Sequence, residues 1–413
     1  MDKSTRYKIF NDPVHGFISI PKGIILQLID HPYVQRLRRI RQLGLGYLVF
    51  PAAEHSRFSH AIGALELGQR VLNNLREKDT TISNQEYEGT LIALLLHDVG
   101  HGPLSHTLEH SLLSEFNHEM MSLAIMHELN KQFDGALSTA IEIFTDHHPK
   151  KFLHQLVSSQ LDLDRLDYLK RDSFFTGVSE GSVGIQRILK TLRVHKNNIV
   201  IERKGIYAIE NYIISRRLMF MQVYLHKTVL SADSLIRSIF KRVSYLFTQG
   251  ELLPSGSTQL DYFLREQPSA KKNISSSVID AYAQLDDYDV YQSIKAWQSS
   301  KDPILSDLSH RFLNRNLFRA SFYERKPGKS THQKIQKLTR AYLDKNGLPS
   351  DEESLKYYIR TEYSTSEAYK YKNDSIWILD NEVAIEFSKA ADTKNIIALT
   401  EPVKKYFIIH PKY

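Results

Sequence analysis

The chain has no cysteine among its 413 residues. That excludes disulfides, thiolate zinc sites and thiol nucleophiles, and it fits a reducing compartment, so a cytoplasmic location is expected. Long apolar runs are also missing. Leu91 to Leu96 falls far short of the roughly 20 residues a membrane helix needs. The polar start Met1-Asp2-Lys3-Ser4-Thr5-Arg6 has no apolar stretch behind it of signal-peptide length, so no membrane partner is expected. No GxxxxGK[ST] motif occurs, which excludes a P-loop nucleotidase. Internal repeats and low-complexity tracts are absent as well. Charge of one sign is only mildly in excess: 54 basic against 47 acidic residues, net +7. That balance permits anionic partners such as nucleotides or nucleic acid, and it equally describes an ordinary solvated surface.

What is present is enough apolar material, 42%, to bury a large core. Apolar residues recur at three- and four-residue spacings from about Asp30 to Tyr245, as in Ile209, Tyr212, Ile213, Met219, Phe220, Val223 and Tyr224. Extended pieces are expected at Phe17-Ile18-Ser19-Ile20 and Asn198-Ile199-Val200-Ile201-Glu202, the latter running into the turn Lys204-Gly205. Loops are expected at Leu253–Ser257 and Arg325–Ser330. Past Tyr357 the pattern turns β-rich: Tyr357-Tyr358-Ile359, Ile376-Trp377-Ile378-Leu379 and Val383 to Phe387. The expected fold is mainly α, a helical core over residues 1–250 followed by a helical extension and small α+β C-terminal lobe over 251–413.

The most informative stretch is Leu94-Leu95-Leu96-His97-Asp98-Val99-Gly100-His101-Gly102-Pro103, an apolar helical run ending in a His-Asp pair and a Gly-rich break. His97, His101, His106, His110 and His118 place five of the chain's 18 histidines within 22 residues. Upstream, Arg57-Phe58-Ser59-His60 opens another apolar helix. Downstream, Leu161-Asp162-Leu163-Asp164-Arg165-Leu166-Asp167-Tyr168 sets carboxylates among leucines, where they need partners. Imidazole and carboxylate together suit a divalent cation.

The order His60, His97-Asp98, Asp164 resembles the H…HD…D signature of metal-dependent HD-domain phosphohydrolases. The flanking motifs extend the likeness: Lys8 to Gly16, Gln35-Arg36-Leu37-Arg38, Gln42-Leu43-Gly44, Val49-Phe50-Pro51 and His97 through His106. Together they resemble the SAM-and-HD-domain type deoxynucleoside triphosphate triphosphohydrolases, well over residues 6–240, again at Arg315-Asn316-Leu317-Phe318, and loosely beyond. No SAM domain is read ahead of the core. The resemblance implies an HD core and metal ligation by His60, His97, Asp98 and Asp164, with Asp162 as a near decoy. It implies iron, manganese, zinc, nickel or magnesium without choosing among them.

A triphosphate ester also needs a general acid for its poor alkoxide leaving group. His106 is the first candidate because Glu109, three residues on, can orient its ring; His118 is second and His101 third. His110 reads as a surface or capping residue. By the resemblance Arg57, Arg165, Arg216 and Tyr168 meet phosphate, Gln42 and Asp172 the 3′-hydroxyl, and Leu43 and Tyr224 the sugar face where a ribose 2′-hydroxyl would sit. Two departures stand out: Arg165 where the animal enzymes have Lys, and Phe220 where they have a histidine.

The resemblance also implies activating nucleotides between subunits of a homotetramer or homodimer. Lys8, Asp30, Gln35 and Arg38 match the positions for a guanine nucleotide. Asn11, Val49, Phe50, Arg193, His226, Lys227 and Arg315 match those for a neighbouring deoxynucleotide. Against this, Arg36, Arg38, Arg39 and Arg41 also read as the solvated face of a helix. Rival readings are an HD phosphohydrolase acting on nucleoside monophosphates or guanosine tetraphosphate, and a non-catalytic nucleic-acid-binding HD protein. The Gly-Tyr-Pro motif of the cyclic dinucleotide branch is absent, and a purely binding module would not need all four ligands.

Overall fold

Serine starts two of the helices that build the core. Ser56 Oγ accepts from Ser59 N ahead of helix Arg57–Glu77, and Ser83 and Glu86 form a reciprocal capping box ahead of Asn84–Leu96. The second helix is buried continuously from Gly89 to Leu96, so it is apolar all round and lies inside the protein. Arg57–Glu77 packs against it and against Leu163–Thr176, which Asp162 caps at one end and Gly177 closes in the left-handed region at the other. Gly68 permits the first crossing, since a Cβ there would lie 2.5 Å from Leu94 Cδ1. The computed structural model describes residues 7–109, 117–254, 256–266, 268, 274–366, 369, 375–392 and 403–413.

Among the described residues the architecture is mainly helical, with three small sheets. Tyr7–Asp12 and Gly16–Pro21 form an antiparallel hairpin. Leu192–His195 and Asn198–Glu202 join Trp377–Asp380 and Val383–Glu386 in a four-stranded sheet, in which Ile201 pairs with Ile378 in the parallel sense. Arg319–Tyr323 and Arg360–Ser366 flank the central strand Val403–His410. One apolar cluster runs through the protein from Ile18 to Ile409. No described helix is long and apolar enough to cross a membrane.

Three expectations are corrected. Tyr357-Tyr358 is not strand but the last turn of helix Glu352–Tyr358, started by Asp351, which accepts from Glu353 N and Ser354 N; the strand begins at Arg360. The loop expected over Arg325–Ser330 ends sooner, because helix Lys329–Lys345 opens at Lys329. Arg36 does not face solvent. It sits in a 3-10 turn, Arg36–Arg39, with 0% exposure, and its guanidinium donates to the carbonyls of Val99, His101 and Leu285 at 2.8–3.0 Å.

Candidate metal centre and active site

The Asn84–Leu96 helix delivers His97 at its C-cap, and Arg57–Glu77 presents His60 from its first turn. Their Nε2 atoms face each other at 3.2 Å. Each ring is oriented from behind: His60 Nδ1 lies 2.7 Å from Asp167 Oδ2, and His97 Nδ1 lies 2.7 Å from the Leu94 carbonyl. With both Nδ1 atoms donating, both Nε2 lone pairs point into one space, an arrangement that calls for a cation. Asp164 Oδ1 lies 3.0 Å from His60 Nε2 and 3.4 Å from His97 Nε2. Asp98 approaches the same two nitrogens at 3.7 and 3.5 Å. Burial opposes protonation of His60, but hydrogen bonds to Asp164 and Asp167 outweigh it and push the ring up to about 10. The same carboxylates that draw a proton there suit a divalent ion. All four predicted ligands are thus brought together, while Asp162 turns away to cap its helix, accepting from Arg165 N at 2.7 Å.

Behind the ligands lies a network the spacing of the sequence did not reveal. Asp167, with 0% exposure, accepts from His15 Nε2 at 2.6 Å and from Arg171 at 2.9 and 3.0 Å, and Arg171 reaches on to Asp12 at 2.8 Å. Gly63 makes room for it: a Cβ there would lie 2.0 Å from Asp167 Oδ1.

In front of the ligands, His101, His106 and His118 form a ring cluster, with His101 and His118 stacked at 3.9 Å. Glu109 binds both outer members, 3.2 Å to His106 Nδ1 and 2.6 Å to His118 Nδ1. Burial works against the Glu109 charge, but these hydrogen bonds hold its carboxyl far below the usual range. His106 sits in the 3-10 turn Ser105–Thr107 and is exposed, whereas His101 is buried. His101 Nδ1 lies 3.2 Å from Asp98 Oδ1, yet neither ring nitrogen makes a hydrogen bond of proper geometry with a described residue. Burial, then the Arg57 guanidinium, push His101 well below the ordinary imidazole value. His110 lies outside the described residues.

These groups open onto a cavity of about 520 Å³. Arg57, Arg165, Arg216 and Tyr168 line it, as do Gln42, Leu43, Asp172 and Tyr224. Arg57 pairs with Asp98 Oδ2 and donates to Ser105 Oγ; Arg165 donates to the Ser159 carbonyl at 2.7 Å and pairs with Asp162 at 3.2 Å. Asp172 accepts from Tyr224 Oη at 2.7 Å and meets His55 Nε2 at 2.8 Å, with His55 stacked on Phe175. Phe220 also lines the cavity, as does Asp233, which accepts from Thr107 at 2.7 Å. His55, Asp167 and Asp233 had no assigned role in the sequence reading. The i, i+3, i+7 spacing of Asp164, Asp167 and Arg171 on one helix was the only hint.

Comparison with known proteins agrees with this geometry. The HD-domain family model matches residues 57–172, and that of the HD-associated region matches 183–244. A crystal structure of a phosphohydrolase from Bacteroides thetaiotaomicron superposes with a TM-score of 0.93 at 41% identity, covering 98% of this chain and all of that one. The chain belongs to the HD-domain phosphohydrolase family. The uncharacterized protein YwfO of Bacillus subtilis is 36% identical over 76% of this chain and 72% of its own. The deoxynucleoside triphosphate triphosphohydrolase SAMHD1 homolog of Dictyostelium discoideum is 30% identical over 66% of this chain and 54% of its own. Like other HD phosphohydrolases, the protein is a metal-dependent hydrolase.

The residues matched to activating nucleotides in this HD phosphohydrolase fall into separate groups. Lys8 pairs with Asp30 at 3.2 Å, and Arg38 donates to Gln35 at 2.8 Å while stacking on Phe58. Phe50, His226 and Lys227 line a second cavity of about 460 Å³. Arg315 binds the Leu48 carbonyl next to Val49, and Asn11 sits in the hairpin opposite Phe17. Arg193 instead pairs with Glu202, which Lys78 and Lys204 share.

Proposed function

We propose that the protein hydrolyses deoxynucleoside triphosphates to the deoxynucleoside and inorganic triphosphate. One observation carries this reading. Four buried polar atoms on three residues, Gln42 Oε1, Arg216 Nη1 and both nitrogens of His101, have no hydrogen-bond partner among the described residues, and all three residues line the cavity beside the metal ligands. Unsatisfied buried groups are costly, so a polyanion with hydroxyl donors suits this cavity. His60, His97, Asp98 and Asp164 would hold a divalent ion, which lowers the pKa of bound water and polarises a phosphoryl oxygen. Arg57, Arg165 and Arg216 neutralise the phosphate oxygens. Water adds to the α-phosphorus and loses a proton to solvent, the bond to O5′ breaks, O5′ takes a proton from His106, held in place by Glu109, and solvent returns a proton to that imidazole. Asp172 keeps lone pairs beyond the two contacts with Tyr224 and His55 and accepts from the 3′-hydroxyl. Leu43 and the Tyr224 ring offer a 2′-hydroxyl no partner, which disfavours ribonucleotides.

The reading extends to regulation. Guanine and deoxynucleotide activators at the Lys8, Asp30, Gln35 and Arg38 patch and at the Phe50, His226 and Lys227 cavity drive assembly of a homotetramer or homodimer. The test is product analysis by ion-exchange chromatography after incubation with each dNTP and Mn²⁺, with and without GTP. Deoxynucleoside plus intact triphosphate is expected. Survival of all four dNTPs under both conditions overturns the reading. A sizing profile unmoved by GTP plus dATP overturns the regulatory part alone.

A further inference from the structure

Charge is unevenly placed in this protein. Residues 319–366 and 403–413 carry 13 Lys or Arg against 6 Asp or Glu, a net +7 equal to that of the whole chain. These segments fold together as the three-stranded sheet with helices Lys329–Lys345 and Glu352–Tyr358. Three of the six acids are ion-paired: Glu362 with Arg237 and Arg360, Glu352 with Arg340, Glu353 with Lys356. Lys334, Lys337 and Lys404 are exposed and have no ion pair with a described carboxylate.

The two faces of the sheet differ. One packs against helix Lys227–Thr248, with Phe407 and Ile409 buried and Glu362 tied to Arg237, while Phe322 beside Phe407 stays 40% exposed. The other is covered at one end, where Ile408 is buried and His332 of helix Lys329–Lys345 meets Thr361 at 3.1 Å; further along it, strand register sets three tyrosines in a row across all three strands, Tyr323 opposite Tyr406 and Tyr406 opposite Tyr363. Tyr363 is 61% exposed, and Tyr323 and Tyr406 are partly so. The Tyr363 and Tyr406 rings are tilted 47° at 6.1 Å, so neither is covered by the other. Lys404 Nζ stands 3.9 Å over the first ring and 5.2 Å from the second.

We propose that this face binds a single strand of nucleic acid, with bases stacked on the tyrosine row and phosphates held by Lys404 and the neighbouring lysines. The warrant is chemical. Aromatic rings accept the face of any base, and strand spacing of about 4.8 Å sets such rings side by side. Cations that lack a carboxylate partner match a phosphate backbone, with Lys404 leaving the Tyr363 ring as a base takes its place, whereas a duplex hides its base faces. A second copy of this chain would bring the same net +7 against itself. The proposal does not depend on the hydrolytic reading, and its test uses no substrate.

The experiment is fluorescence anisotropy of the full chain with labelled oligo(dT), oligo(U) and a duplex of equal length, about 20 nucleotides each. Salt is varied between about 50 and 200 mM. Both single strands are expected to bind better than the duplex. Tyr363→Ala and Tyr406→Ala should each weaken binding about tenfold, and Lys404→Gln should reduce the salt slope by about one. Unchanged binding in Tyr363→Ala, equal affinity for duplex, or no binding overturns the proposal. So does self-association lost in Tyr363→Ala without oligonucleotide binding. Should Tyr406→Ala fail to fold, the exposed Tyr363 still decides the question.

Discussion

Replacing Asp167 by Asn tests whether the buried network behind the metal ligands sets the ion's affinity. The change keeps shape and removes charge from a carboxylate that fixes His60 at 2.7 Å, His15 at 2.6 Å and Arg171 at 2.9 Å. Loss of such a partner to a metal-ligating histidine lowers metal affinity about 10- to 100-fold, about 1.4–2.7 kcal/mol. Stability also falls, by less than the about 3–5 kcal/mol for stranding a buried charge, because Arg171 keeps Asp12 at 2.8 Å. Mn²⁺ titration followed by electron paramagnetic resonance reads the affinity, and thermal melting of the apoprotein reads the fold. Asp12→Asn is the control, since it weakens the same ion cluster one bond further from His60. It should lower the melting temperature and leave Mn²⁺ affinity near wild type. If Asp167→Asn melts earlier yet takes up Mn²⁺ like wild type, Asp167 only supports the fold and the reasoning fails.

Asp98→Ala should abolish both Mn²⁺ uptake and turnover while leaving the helical circular dichroism intact; turnover in metal-free buffer would refute the metal's role. His106→Ala should slow turnover about 100-fold. An unaltered rate would shift proton donation to His118, which shares Glu109. Leu43→Gly should narrow the preference for deoxy- over ribonucleotides by about tenfold or more, and an unchanged ratio would place the 2′-hydroxyl filter elsewhere. Glu202 offers a pH test. Burial opposes its charge, but hydrogen bonds from Lys204, Arg193 and Lys78 prevail and set its carboxyl at about 2. A depressed acid stabilises fully above its ordinary value of 4.5 and loses that contribution as pH falls toward about 2. Glu202→Gln should therefore flatten the decline in melting temperature over that acidic window, and parallel wild-type and variant profiles would contradict it.

The helical core and its carboxylate-imidazole centre were legible because their signals are local. Apolar residues three and four apart mark a helix within a turn or two, and the His-Asp pair ends an apolar run that had to be buried. Asp162 and Asp164 were separable only through the family resemblance; the structure supplies the physical difference, since one accepts backbone donors of its own helix start and the other faces His60 and His97. What stayed hidden depends on chain segments far apart. Asp167 meets His15 across 152 residues and His60 across 107, and His55 meets Asp172 across 117. Periodicity carries no record of such meetings. Arg36 misled because arginine is so rarely buried that composition argues for solvent. Tyr357 and Tyr358 misled because paired tyrosines favour strands, until Asp351 supplies a helix start the pattern alone does not weigh.

The loop between His97 and Leu104 is clasped from a distance. Tyr282 Oη donates to the Gly100 carbonyl at 3.0 Å, and Asp287 accepts from Leu104 N at 2.8 Å and from Arg41 N at 3.0 Å. Leu285 shares the Arg36 guanidinium with Val99 and His101. A lesion at residues 282–287, which are themselves largely buried, would therefore loosen the loop that carries His97, Asp98 and His101 together with the core around it. Heredity meets the same constraint: a lineage that sheds this hasp must re-anchor the loop or forfeit the chemistry.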